Sequence, residues 1–364
     1  MVALAVAVGP LRAGADAPPS DPSFGDPVPL RGQMPSGLPF LELPPASAFL
    51  LPRGAFRFSV GLAYENTHAV SDDLVRTYND GARHLLTLSD LESIAAGSKE
   101  GTAYLVDGET LRLALGGAFG LGARLEAAFE LPILLHTGGF MDGTIEGYHD
   151  LLGFGDGGRS AFEQDRYIVA YADPDGTFYL EGAPDGIRPG DLALMLRGSL
   201  FQSPTGGSAL AATVGIEIPT GDADRLEGNG AFDAAFGIEA SWRFRRSSMH
   251  AGGRYARPGG WDAAPWVDLG GRLGGFAAWE RRFGQDWGML AQVVFGGGPM
   301  PHRVEADLGD RTIELALGVR LRAGAAGEIQ MALLENLLPS KNAPDIGAYF
   351  GWRCRPGRPA NPGN

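Results

Sequence analysis

The chain predicts an all-β protein: a transmembrane up-and-down antiparallel β-barrel of about 12 strands with long extracellular loops. Three observations carry this. Apolar residues recur at every second position, the links between alternating segments are themselves alternately short and long, and aromatic residues gather near both ends of those segments. In RTIELALGVRLR (311–322), Ile313, Leu315, Leu317, Val319 and Leu321 fall on one face, with Thr312, Glu314, Arg320 and Arg322 on the other. The two faces of such a strand require different solvents. Lipid outside a barrel and water inside it meet that need. A secreted soluble β-sandwich or lipocalin-like binding protein, which would bury the apolar face instead, is the alternative architecture.

Composition removes other classes. The 364 residues contain no uncharged apolar run of the roughly 18 residues that a membrane-spanning helix needs. The 56 glycines sit mainly inside alternating segments such as LGGRLGGF, which excludes collagen and linker readings. A net charge of −13 without basic stripes argues against a nucleic-acid partner. Cys354 stands alone, so neither an internal disulfide nor a cysteine metal set can form, and no cofactor motif is present.

The elements follow in order. Residues 1–17, MVALAVAVGPLRAGADA, have the apolar stretch and small-residue end of a signal peptide, with the basic lead missing as if the start were truncated. Residues 18–54 are proline-rich and should form an extended periplasmic lead-in. From 55 to 353 the alternation predicts barrel strands near 55–66, 103–119, 122–136, 190–202, 207–219, 230–245, 247–257, 266–283, 286–297, 309–322, 326–337 and 343–353. Residues 354–364 remain as a C-terminal tail.

Short links such as GLG, SPTGG, RRS, GQD and AGAA interleave with long ones beginning near 67, 137, 220, 258, 298 and 338. Outer-membrane barrels have short periplasmic turns and long external loops, so an even strand number would return both termini to the periplasm. Phe56, Phe119, Trp242, Phe244, Trp279, Trp287 and Trp352 lie near the short links, and Tyr64, Phe232, Tyr255, Trp266 and Phe295 near the long ones. Two interfacial belts are expected from them.

With the barrel argued, VDGETLRLAL, ELPILLHTGGFMDGTIEGYHDLLGFGDGGR, IEIPTGD and ENLLPSKNAPDIGAYFGWR resemble an uncharacterised bacterial outer-membrane barrel family, domain-of-unknown-function family thirty-one eighty-seven. The resemblance implies a Gram-negative outer-membrane location and lends no catalytic residue. The chain departs from the usual barrel ending, because RCRPGRPANPGN follows Trp352 instead of an aromatic terminus.

The polar faces supply lumen-lining candidates of both signs: Arg57, Arg112, Arg124, Arg197, Arg243, Arg254, Arg272 and Arg320 among Glu65, Glu126, Glu130, Glu217, Glu239, Glu280 and Glu314. In a barrel of this size they should pair as struts, with a narrow polar pore as the functional alternative. The longest loop offers Asp142, Glu146, His149 and Asp150, with Ser160 beyond them; a histidine among carboxylates raises an outer-leaflet lipid or ester hydrolase as the contrasting function. No nucleophile elbow or HExxH supports it, and TGDADRLEGNG lacks calcium-loop spacing. In the same loop, Met141, Ile145, Tyr148 and Leu152 at helical spacing predict a short amphipathic lid helix, capped by Asp142 and stopped by Gly153. The expected role is a passive narrow channel for small polar solutes or a structural outer-membrane component, with outer-membrane lipids as the surrounding partner.

Overall fold

The computed structural model describes residues 25–153, 155–284, 286–298, 311–324, 327–337 and 345–354. The strands are β1 (Phe56–Val70), β2 (Ala103–Gly120), β3 (Leu125–Thr137), β4 (Ile168–Asp173), β5 (Gly176–Glu181), β6 (Arg188–Pro189), β7 (Leu192–Gln202), β8 (Ser208–Ile218), β9 (Asp233–Arg243), β10 (Ser247–Arg257), β11 (Arg272–Phe283), β12 (Trp287–Gly297), β13 (Arg311–Ala323), β14 (Gly327–Asn336) and β15 (Ile346–Cys354). β1 to β3 and β7 to β15 form a closed antiparallel barrel of 12 strands. Closure is made by β1, which pairs with β15 from Ser59↔Arg353 to Asn66↔Ile346 and with β2 along its whole length. Closing the barrel wall removes the edges that an open 12-stranded sheet would present to another chain.

The period-two pattern fixes which side chains face out. On β13, Leu317 is 53% exposed while Arg320 is 1% exposed, as the alternation requires. Phe56, Phe119, Trp242, Phe244, Trp279 and Trp287 are exposed at the short-turn end, and Phe232, Tyr255 and Phe295 at the long-loop end. Trp266 is a correction. It leaves the outer belt and packs into a core at the long-loop end.

The barrel interior also differs from the sequence expectation. Residues 25–52 were expected outside the barrel as a periplasmic lead-in; they lie inside it. The segment begins beside Ser248 and His250 near the short turns, climbs to Phe40 among the long loops, and descends past Ser241 to Glu126 before β1 starts. Its seven prolines among residues 26–52 explain why an irregular chain tolerates burial. Proline disfavours a ladder and removes a donor that would otherwise need a partner. Of the donors that remain, some bond within the segment and four find strand side chains: Val28 N–H donates to Gln292 Oε1 (2.9 Å), Leu41 N–H to Asp233 Oδ2 (2.8 Å), Ala48 N–H to Ser241 Oγ (2.8 Å) and Leu51 N–H to Glu126 Oε2 (2.8 Å). The signal peptide expected over 1–17 and the tail beyond Cys354 lie outside the described residues, as do residues 18–24.

Above the barrel, β1 and β2 continue into a small cap, where the β4–β5 hairpin adds to β2 through Ala103↔Ala172 to Asp107↔Ile168. Helices α1 (Asp72–Thr77) and α2 (Leu88–Gly97) cover one face of this extension, against Leu105, Ile168 and Ala170. The other face presents Tyr104, Val106, Val169 and Tyr171 to the tip of the inner segment. The predicted lid helix is present as α3 (Asp142–Leu152), stopped by Gly153 at φ 70°. Its N-cap is Met141 rather than Asp142.

Candidate functional site

The candidate site is the lumen together with the segment that fills it. Three groups of charges hold that segment. At the foot of the ascending leg, Arg320 donates to Glu280 (2.8 Å), to Glu328 (2.5 Å) and to the carbonyl of Asp26, while Arg57 and Arg353 pair with the Asp26 carboxylate at 3.3 and 3.2 Å. Around the descending leg, Arg197 pairs with Glu126 (2.7 Å) and donates to the carbonyl of Ser47. Between them, Arg254 reaches Glu42 and the carbonyl of Leu43, and Arg272 approaches Glu42 at 3.5 Å. A guanidinium suits this role because its planar fork serves a carboxylate and a carbonyl together.

Most lumen-lining candidates therefore face inward, in three kinds of company. Arg112 pairs with Glu130, and Arg197 with Glu126, as wall-to-wall struts. Arg57, Arg243, Arg254 and Arg272 pair with acids of the inner segment, which takes a place the sequence assigned to water. Arg243 also lies over the Phe49 ring at 3.7 Å. Glu239 accepts from Thr213 at 2.9 Å, Glu65 and Glu217 are buried, and Glu314 faces the backbone at Gly32. Arg124 is the exception. It is exposed in the turn between β2 and β3, one residue outside the strand.

The interior is also less polar than expected. Phe276, Leu290, Val294 and Leu334 point inward and enclose Val28 and Leu30, while Ala193, Ala235 and Ala256 enclose Leu41 and Leu43. These inward apolar residues make sense only with a chain occupying the lumen, because facing water they would forfeit the burial that stabilises them. Asp26, Glu42, Gln292 and Glu328 are not singled out by the sequence, and Asp233 and Ser241 stand out only as part of the polar face of their strand. Gln292 carried a readable sign, as a lone amide inside the apolar run MLAQVVF. It both accepts from Val28 N–H and donates to Val28 C=O (2.9 Å each). Between the inner segment and the wall lies a cavity of ≈ 110 Å³, lined by Arg57, Ser59, Arg112, Glu130, Arg197 and Tyr349 among others.

The loop candidates have separate structural partners. Asp142 is buried and pairs with Arg159, and its other oxygen accepts from Asp165 N–H (2.7 Å). Glu146 accepts from Arg83 (2.7 Å) and Gln164 (2.7 Å). His149 lies beside the Tyr148 ring, and Asp150 is exposed on α3. Ser160 is engaged with Asp156: burial alone would raise that carboxyl's pKa, but donors from Ser160 and Gly158 outweigh it and hold it below its usual range.

Comparison with known proteins bears on this architecture. No curated protein matches the sequence. The chain is similar in structure to an outer-membrane channel from Pseudomonas putida F1, at 12% identity and a TM-score of 0.51, over 84% of this chain and 97% of that one. It is also similar to the NanC porin, at 6% identity and a TM-score of 0.42, over 84% of this chain and 100% of that one. A family model described as a protein of unknown function (DUF3187) matches residues 40–355, which include the descending leg and all twelve barrel strands. The chain thus belongs to the DUF3187 family, and its fold is that of an outer-membrane β-barrel.

Proposed function

We propose that the protein is an outer-membrane channel for small solutes that rests closed, its bore occupied by its own residues 25–52. The short turns face the periplasm in this reading, so the inner segment enters from and returns to that side. The observation that carries it is how the segment is attached. Its legs fill the lumen, yet they are bound through side chains and not through strand pairing, so they can withdraw while every ladder of the wall stays intact. The residual ≈ 110 Å³ holds a few waters but gives a solute little room, which makes movement of the segment the step that opens a path. Planar-bilayer recording tests this. Deleting residues 26–50 should raise conductance several-fold over the full chain in a barrel that still resists SDS until boiled. Equal conductance in the two proteins would reject the reading.

A further inference from the structure

The tip of the inner segment sits in unusual surroundings. Phe40 is 0% exposed and meets Trp261 edge-on, with ring centroids 5.8 Å apart and planes at 82°. Trp261 in turn packs on Phe178 at 5.0 Å. Tyr104, Tyr167 and Tyr171 belong to the same cluster, and Trp266 packs against it. Phe40 thus sits in a chamber walled by aromatic rings together with aliphatic side chains such as Val106, Leu226 and Leu269, and the rings offer faces and edges to another planar ring.

A plain hydrophobic core would account for the rings but not for their polar atoms. Trp261 Nε1 and Tyr167 Oη are buried, at 2% and 3% residue exposure, and neither has a hydrogen-bond partner among the described residues; Trp266 Nε1 is likewise unpartnered. Buried donors in native interiors are almost always satisfied, so three orphaned donors around one cluster mark a place for an acceptor that the phenyl ring of Phe40 cannot supply. The donors are neutral and the surrounding side chains mostly apolar, with the buried His136 ring beside Tyr167 as the polar exception, which disfavours a carboxylate and favours a carbonyl or similar uncharged group. The tip itself is a turn, closed by Gly37 N–H to Met34 O (2.8 Å) and braced by Arg31 of the same segment, which donates to Phe40 O (2.8 Å).

We propose that the chamber now holding Phe40 is a binding site for a neutral planar aromatic molecule bearing a hydrogen-bond acceptor, which takes its place by displacing the tip. This names the solute class of the channel proposed above and rests on that reading for its purpose, but binding can be measured without current. Calorimetry of the full barrel in nanodiscs, with empty nanodiscs subtracted, would compare 2-acetylnaphthalene with naphthalene. Phe40→Ala should bind 2-acetylnaphthalene at least about tenfold tighter than the natural chain, because the competing occupant is gone. Should that variant fail to form an SDS-resistant barrel, Phe40→Leu should shift affinity in the same direction by less. Tyr167→Phe, Trp261→Phe and Trp266→Phe together, made in the Phe40→Ala chain, should erase the preference for the ketone over the plain hydrocarbon. Unchanged affinity on shortening Phe40, or a ketone preference that survives loss of all three donors, would overturn the site. Current from the 26–50 deletion without probe binding would overturn the solute class and leave the channel standing. Probe binding without that current would leave the site and remove the channel.

Discussion

Two residues on β13 show how differently its faces are stabilised. Leu317 faces outward at 53% exposure, and an arginine there would place a charge in lipid at a cost of about 2–4 kcal/mol near the bilayer midplane. From the alternation alone, Arg320→Leu should do less, since it removes a charge from a wet interior. The structure revises that. Arg320 is the shared partner of Glu280, Glu328 and the Asp26 carbonyl, all in a nearly closed space. Removing one member of a buried ionic group leaves the others uncompensated and typically costs about 3–5 kcal/mol. Urea titrations of refolded barrels should therefore find Arg320→Leu at least as destabilised as Leu317→Arg. Adding Glu280→Gln and Glu328→Gln to Arg320→Leu should restore part of the loss; a triple variant no more stable than Arg320→Leu would mean the three charges do not act as a unit.

At the level of elements, what was legible and what was not follows from solvent asymmetry. The barrel strands have lipid on one side and lumen on the other, so their alternation survives in the sequence, as in Phe232, Phe236 and Ile238 against Asp233 and Glu239. The β4–β5 hairpin in IVAYADPDGTFYLE went unread because both its faces are buried. Ile168, Ala170 and Ala172 pack beneath the helices while Val169 and Tyr171 face the chamber, so no polar face marks the period. Only the Asp173-Pro174-Asp175-Gly176 turn announced it. Helix α3 was readable from its stripe and its glycine stop, and Ile145 is buried as that stripe requires. Tyr148 and Leu151 remain exposed, however, so α3 covers less than a lid should. The inner segment places it second in line. Replacing residues 140–158 with a Gly/Ser linker should leave the full chain's conductance low and raise it only when residues 26–50 are also deleted. A rise from the loop replacement alone would make α3 the principal barrier.

For the whole molecule, the lumen and its occupant form one solution to a packing problem. The inner segment was unreadable because its partners lie far along the chain: Asp26 meets Arg353 across 327 positions and Val28 meets Gln292 across 264, and neither contact leaves a period. The prolines that suggest an extended lead-in are what allow the segment to lie buried without a ladder of its own. The inward-facing arginines named above each have an acidic counterpart on the segment or on another strand of the wall, so the closed state is stabilised by many modest contacts and no covalent one. Such a state can be released as a unit, or solute can slip along the ≈ 110 Å³ cavity beside β1 to β3 with the segment in place. A reversible tether separates these routes. With Cys354→Ser removing the native thiol, Val28→Cys and Gln292→Cys place thiols where the ascending leg meets β12. Joined by a short reducible cross-linker, that pair should hold the leg against the wall and silence solute-driven current, and reductant should restore it. Current that persists through the tether would assign conduction to the side cavity and leave the inner segment as a fixed part of the wall.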